Sequence, residues 1–286
     1  MGLGDDLMIT TFASQIKKKY PDRQIVIGNV SQKKTYHSII YENNPSISDC
    51  RKLDLNKPIF IIDYHQGNRP YIDYKKSLDA NRYIWNTNFK ATPGEIFFSK
   101  TELLQADKIF NRALDYWKKN NKNKYKAIIF LETSSTKSND SQHGIKHQNL
   151  AWGYKNWNTL VDNINKSYLI IHSNHKDTKE IKGLFVPEKI TFRLACALMS
   201  KCDLYLGAHG GFAHVAAALK KKAVIYFGGW VQPSILGYSS HKNIYYDSNR
   251  SPCGMFANVC DHCEEARKQI TPNIIEKEIK DIFEKD

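Results

Sequence analysis

Seven short apolar blocks recur along the chain with longer amphipathic stretches between them, and this alternation constrains the fold more than any other feature. In the first half the blocks are residues 24–30 (QIVIGNV), 38–41 (SIIY) and 58–63 (PIFIID). In the second half they are 127–131 (AIIFL), 168–172 (YLIIH), 203–206 (DLYL) and 223–227 (AVIYF). Each is rich in Ile, Val, Tyr or Phe and bounded by polar residues or Gly, which reads as a strand. Helical stretches are expected at 5–20, 100–119, 154–165, 191–201 and 212–219. A last helix is expected at 272–283, with Thr271 as N-cap and Pro272 at the first helical position. Strands alternating with helices of this length predict an α/β fold built on parallel sheet.

The polar run at 117–126 (WKKNNKNKYK) precedes a fresh buried strand and reads as an interdomain connection, dividing the chain into 1–122 and 123–286; an exposed helix end with a loop is the plainer reading. A second polar stretch, 132–149, follows the first strand of the second half, where open α/β sheets bind ligands. The net charge of +13 is spread out, +8 in residues 1–125 and +5 in 126–286, so it is not a basic tail on a neutral body. A diffuse positive field suits phosphorylated ligands, an anionic membrane surface or nucleic acid, and composition alone also produces one. Six cysteines in 286 residues are too sparse for a disulfide scaffold. No apolar run approaches a membrane span, and the start MGLGDDLMITT has no basic segment of a signal peptide. These features predict a cytoplasmic protein.

Three motifs are candidates for chemistry. Gly2-Leu3-Gly4-Asp5-Asp6 leads into a helix, so a ligand can approach bare backbone at Gly4 and an anion is favoured at the helix start. Asp5 can be a general base, a helix cap, or both. In the second motif a buried strand ends in His209-Gly210-Gly211, followed by a helix of small residues carrying His214. Two Gly there permit a diphosphate to meet backbone N–H groups, and a packed strand–turn–helix is the plainer alternative. The third is Cys253…Cys260-Asp261-His262-Cys263. A zinc site needs a fourth ligand at clean spacing, and none is evident, so structural packing or a labile redox pair is expected and no metal is assigned. Arg69, after a strand, is a candidate for an anionic acceptor, and Lys146 in the long loop for a phosphate. Trp152 and Trp157 read as packing, and His65 and Glu95 are left unassigned.

In this order, the segments resemble glycosyltransferase family 9, the ADP-heptose:lipopolysaccharide heptosyltransferases. Gly2-Leu3-Gly4-Asp5 with Thr10-Thr11 resembles the family's opening Gly-x-Leu-Gly-Asp…Thr-Thr-Pro, with Phe12 in place of Pro. The stretch 209–219 resembles its Asp-Thr-Gly-x-x-His-x-Ala-Ala-Ala-Leu, and 223–228 its strand ending in Phe-Gly. Cys253…Cys260…Cys263 with Ile270-Thr271-Pro272 resembles its C-terminal Cys-rich segment and helix start. The resemblance implies a GT-B-like fold: two Rossmann-like domains facing a cleft, residues 1–122 on the acceptor side and 123–286 binding the nucleotide-sugar, with the C-terminal helix crossing back to the first domain. It implies inverting, metal-independent transfer of a hexosyl or heptosyl group from a nucleotide-diphosphate donor to a surface-glycan or lipopolysaccharide-type acceptor. The nucleotide-sugar is a co-substrate, and no cofactor is implied. Asp5 would be the base; His209, Gly210, Gly211, His214 and Lys146 would bind donor; Gly4 and Arg69 would bind acceptor. Peripheral contact with the inner face of an anionic membrane fits the charge.

The chain departs from the family at three points. His209-Gly210-Gly211 stands for Asp-Thr-Gly, so heptose is not carried over as the donor sugar. Leu150 replaces the Lys that precedes the second-domain Trp, here Trp152. The family has a strand before its Gly-Leu-Gly-Asp loop, where this sequence starts, so a chain extended upstream is expected to be more stable. Competing readings are an inactive nucleotide-sugar-binding relative, a GT-B sugar-nucleotide epimerase, and a nucleic-acid binder. The last rests on charge alone, and no nucleic acid partner is expected.

Overall fold

The computed structural model describes residues 2–77, 81–133, 148–173 and 180–284. The first half opens with helix α1 (Leu3–Lys19), whose acids lie in the first turn and whose lysines lie in the last, matching the helix dipole. Strand β1 (Gln24–Asn29), the two-residue strand β2 (Lys34–Thr35) and β3 (Ile59–Asp63) form a sheet in the order β2-β1-β3. β1 and β3 are parallel, with Gln24 opposite Ile59 and Gly28 opposite Asp63, and β2 is antiparallel to β1. A short helix α2 (Tyr74–Ser77) and the long α3 (Lys100–Asn120) complete this half.

Residues 38–41, expected as a strand, instead make a 3-10 turn at Ile39–Tyr41. The cause is local: the Ser38 hydroxyl accepts from the Ile40 N–H at 3.3 Å, and the Tyr41 N–H donates to the Ser38 carbonyl at 3.0 Å. Serine bonding its own neighbouring backbone competes with a ladder, and the turn buries Ile40 and Tyr41 beside α1.

The second half is a five-stranded, wholly parallel sheet: β4 (Ile128–Glu132), β5 (Leu169–His172), β6 (Leu204–Ala208), β7 (Lys222–Gly228) and β8 (Lys242–Tyr245), in the order β5-β4-β6-β7-β8. Its helices are α4 (Tyr154–Ile164), α5 (Phe192–Met199), α6 (Gly211–Ala218), the short α7 (Pro233–Leu236), α8 (Asp261–Gln269) and α9 (Pro272–Glu284). Period-two alternation sends the strand side chains to two covered faces. Ile129, Leu131, Ile170, Leu206 and Val224 pack under α4 and α9. Phe130, Ile171, Tyr205, Ile225 and Phe227 face the opposite way, in a core continuous with that of the first half.

Helix α9 packs on the second sheet against α4 and β7. Its buried Ile275 and Ile279, four residues apart on one face, join the core beneath α4 and β7, and Lys126 pairs with Glu284 at 3.1 Å near its end. The halves are joined where α1 packs on α6, and where α3 packs on α5 and β5. Buried Arg193 of α5 reinforces the second contact, bonding Glu102 of α3 at 2.6 Å and the carbonyls of Ile39 and Phe97 at 2.8 and 2.6 Å. The polar run after α3 is pinned as well, since buried Trp117 donates through Nε1 to the Asn123 carbonyl at 2.8 Å. Among the described residues no helix is long and apolar enough to cross a membrane.

Candidate functional site

The second sheet has a topological switch point between β4 and β6. From β4 the chain goes to β5 on one side and later returns to β6 on the other. Loops leaving the carboxyl ends of such strands diverge and open a crevice. Glu132 of β4 sits opposite Gly207 of β6 at that end. His209 follows β6 at once, its N–H donating to the Tyr226 carbonyl at 2.9 Å. Gly210 is the N-cap of α6, and a Cβ added to it would meet nothing within 4 Å. The helix start at Gly210 therefore has open space beside it.

The first turn of α1 lies directly against this helix start. A Cβ on Gly4 would stand 2.8 Å from His214 Cδ2 and 3.3 Å from the Gly211 Cα. A Cβ on Gly211 would stand 3.7 Å from the Gly4 nitrogen. Two helix N-termini thus converge, and at Gly4 a side chain would crowd the His214 ring, whereas at Gly211 a Cβ would make ordinary contact. Each N-terminus carries partial positive charge, which favours an anion in the open space beside Gly210 rather than between the two helices.

Asp5 is the next residue, and it is buried. One carboxylate oxygen accepts from the Tyr71 hydroxyl and the other from the Gly2 N–H at 3.2 Å. Tyr71 is held in turn by Arg69, whose Nη1 is 3.4 Å from the Tyr71 hydroxyl and whose Nε donates to the Tyr74 hydroxyl at 2.8 Å. The Arg69 guanidinium also lies 5.7 Å from the ring centres of Tyr71 and Tyr83. Burial, and then the charge of Asp5, pushes the Tyr71 hydroxyl well above the usual phenol range, so it remains a donor to Asp5. Asp6 points elsewhere, accepting from Ser38 Oγ at 2.7 Å and Tyr41 Oη at 3.4 Å, and burial raises its carboxyl above the usual range.

His214, on the first turn of α6, is buried, with Nδ1 2.6 Å from the Tyr238 hydroxyl. Burial lowers its pKa to about 4, against the pull of Asp5, so the ring is neutral near pH 7. The His209 ring stands 5.7 Å from that of His214 and 4.8 Å from that of Phe227. His241 lies beyond Tyr238, ring centres 5.4 Å apart.

The structure thus brings together Gly4, Asp5, His209, Gly210, Gly211 and His214, with Arg69 reaching Asp5 through Tyr71. Lys146 lies outside the described residues. Trp152 and Trp157 are packing residues, both buried and meeting edge to face at 4.6 Å. Sequence reasoning did not assign Tyr71, Tyr238 or His241. Tyr71 ends the Asn68–Tyr71 stretch that holds the candidate Arg69, whereas Tyr238 reaches His214, and His241 reaches Tyr238, from outside any local pattern. The three C-terminal cysteines also come together: their sulfurs all lie within 4.8 Å of one another, and Cys253 Sγ is 3.2 Å from Cys263 Sγ.

No family model and no curated protein matches the sequence. Among solved structures the chain is similar to a family 9 glycosyltransferase from Veillonella parvula, with 12% identity, a TM-score of 0.61, and coverage of 100% of this chain and 95% of that one. It is similar to the iron-containing dodecameric glycosyltransferase TibC from enterotoxigenic E. coli, with 13% identity, a TM-score of 0.58, and coverage of 98% and 73%. It is also similar to the E. coli ADP-heptose lipopolysaccharide heptosyltransferase II, with 10% identity, a TM-score of 0.56, and coverage of 99% and 96%. The chain therefore has the two-sheet α/β fold of these glycosyltransferases, and at such identities the likeness establishes the fold alone.

Proposed function

We propose that this protein is an inverting glycosyltransferase that moves a sugar from a nucleotide-diphosphate donor to a saccharide acceptor of the surface-glycan or lipopolysaccharide type. The observation that carries the proposal is the placement of Asp5 one residue from the contact between Gly4 and the start of α6. A candidate base on one half then faces an anion-binding helix start on the other. In this reading residues 1–122 form the acceptor side and 123–286 the donor side.

The donor diphosphate lies at Gly210 and Gly211, where backbone N–H groups and the α6 dipole offset its charge. Neutral His214 contributes a hydrogen bond and no cation. Asp5 takes the proton of the acceptor hydroxyl as that oxygen attacks the anomeric carbon. The bond from that carbon to the diphosphate oxygen breaks, and the electron pair leaves with the nucleotide. Attack from the Asp5 side, opposite the leaving group, inverts the anomeric centre. Because Asp5 is buried and Gly4 touches α6, the acceptor reaches the carboxylate when α1 and α6 part. The transfer chemistry is assigned to Asp5 and the helix termini and uses no metal, although the similar TibC contains iron.

The test is Asp5→Asn, which keeps the shape and removes the base. Transfer is expected to fall by about 10²–10⁴-fold while nucleotide affinity is retained. Full activity in the variant overturns the assignment of the base. Loss of nucleotide binding with loss of activity would show that Asp5 belongs to the donor site instead.

A further inference from the structure

Beyond the transfer site, we propose that Cys253, Cys260 and Cys263 form a thiolate site for a thiophilic divalent metal ion, with zinc as the reference ion. All three cysteines are buried and all are free. Their sulfurs lie within 4.8 Å of one another, the closest pair at 3.2 Å. Sulfurs held tetrahedrally at a metal–sulfur bond of about 2.3 Å stand about 3.8 Å apart, which falls inside that span.

The backbone fixes this arrangement independently of the thiols. Cys260 is the N-cap of α8 and Cys263 lies on its first turn, so the two side chains share one face. The Cys260 N–H donates to Asn149 Oδ1 at 3.0 Å, and the same Asn149 amide donates to the carbonyls of Met255 and Asn258 at 3.0 and 2.9 Å. The Cys253 N–H donates to the Gly229 carbonyl at 3.0 Å, which tethers the third thiol to the end of β7. Three cysteines from one looping segment are thereby aimed at one point before any ion arrives.

His262 is not the fourth ligand. Its Nε2 is 2.8 Å from Ser251 Oγ, and its ring lies under Gly229, outside the sulfur cluster. Among the described residues the chain supplies three ligands, and the fourth position is open to water or another donor. Binding deprotonates the thiols and releases protons, with no redox change.

The site has a structural consequence at the junction of the halves. The looping segment pairs with the first half, where the Tyr83 N–H donates to the Gly254 carbonyl at 2.9 Å and Arg82 bridges Met255. It also holds Trp230, whose Nε1 donates to the Met255 carbonyl at 2.7 Å and whose ring packs on Trp85 at 4.8 Å. A metal at the three sulfurs would staple the segment that supports this aromatic contact.

The test uses the full chain, purified under reducing conditions without added metal. Elemental analysis is expected to find about one zinc or iron per chain, and titration of chelator-stripped protein with Co²⁺ to give thiolate-to-cobalt charge-transfer absorption that Zn²⁺ bleaches. Cys260→Ser and Cys263→Ser are expected to lose both signals, whereas Cys50→Ser, remote from the cluster, keeps them. Stripping the ion is also expected to shift tryptophan emission through Trp230. Absence of metal with no charge-transfer band in the wild type overturns the proposal, even if the serine variants fail to fold. Recovery of a Cys253–Cys263 disulfide from protein kept under reducing conditions overturns it too.

Discussion

His241 offers a quantitative handle on the packing behind the site. It is buried, and among the described residues neither ring nitrogen has a hydrogen-bond partner. The Tyr238 ring faces it at 5.4 Å. Burial lowers its pKa from 6.5 to about 4. Between those values the unfolded chain binds a proton that the native ring refuses, so stability falls as pH drops through this window and is restored above about 6.5. At pH 5 the penalty for one such ring is about 2 kcal/mol relative to pH 7.5. Replacing the ring by Phe fills similar space and removes the titration. His241→Phe is therefore expected to lose about 2 kcal/mol less than wild type between pH 7.5 and 5. At pH 7.5 it should be no less stable, because a buried polar group without partners is removed. Asp6, whose raised pKa acts in the opposite direction, is unchanged in both proteins and cancels from the comparison. Urea unfolding at the two pH values measures the difference. Equal losses in the two proteins would refute the argument that His241 is held neutral.

Two further substitutions probe the junction between the halves. In Gly4→Ala, the new methyl meets the His214 ring at 2.8 Å and Gly211 backbone at 3.3 Å, and the ring is held by Tyr238. Overpacking costs about 1–3 kcal/mol, against which better helix propensity returns at most about 1, so calorimetry should record a lower melting temperature. Tyr71→Phe removes the hydroxyl that Asp5 accepts. A turnover number lower by about tenfold, with little change in donor KM, is expected if Tyr71 orients the base; equal losses in both would mark it as a donor contact.

Much of this architecture was legible in the alternation of apolar blocks, because buried parallel strands need continuous apolar runs and leave a strong local signal. The four strands from β4 to β7 follow it to within a residue or two. β8 was missed because its half-buried KNIY carries little apolar signal. Helix α8 escaped because its charged residues hide the buried face formed by His262, Cys263 and Ala266. The block at 38–41 misled because its composition is that of a strand, and a single serine decides for a turn. For α9 the four-residue spacing of Ile275 and Ile279 marks the face that packs on the second sheet. Glycine and aspartate motifs revealed Gly4, Asp5, Gly210 and Gly211. The partners Tyr71, Tyr238 and His241 depend on contacts between distant segments, which no local spacing encodes.

The most direct measurement is a thermal-shift comparison of the wild type with ADP-, GDP-, UDP-, CMP- and dTDP-linked sugars and the free nucleotides. A ligand at about 100 times its dissociation constant stabilises by about 2.7 kcal/mol, or about 5 °C for a chain of this size. The account predicts such a shift with one nucleotide class, shared by the nucleoside diphosphate and its sugar and abolished by Gly211→Asp, which sets a carboxylate at the α6 start. A cooperative melt that none of these ligands moves would contradict a donor site at Gly210 and Gly211.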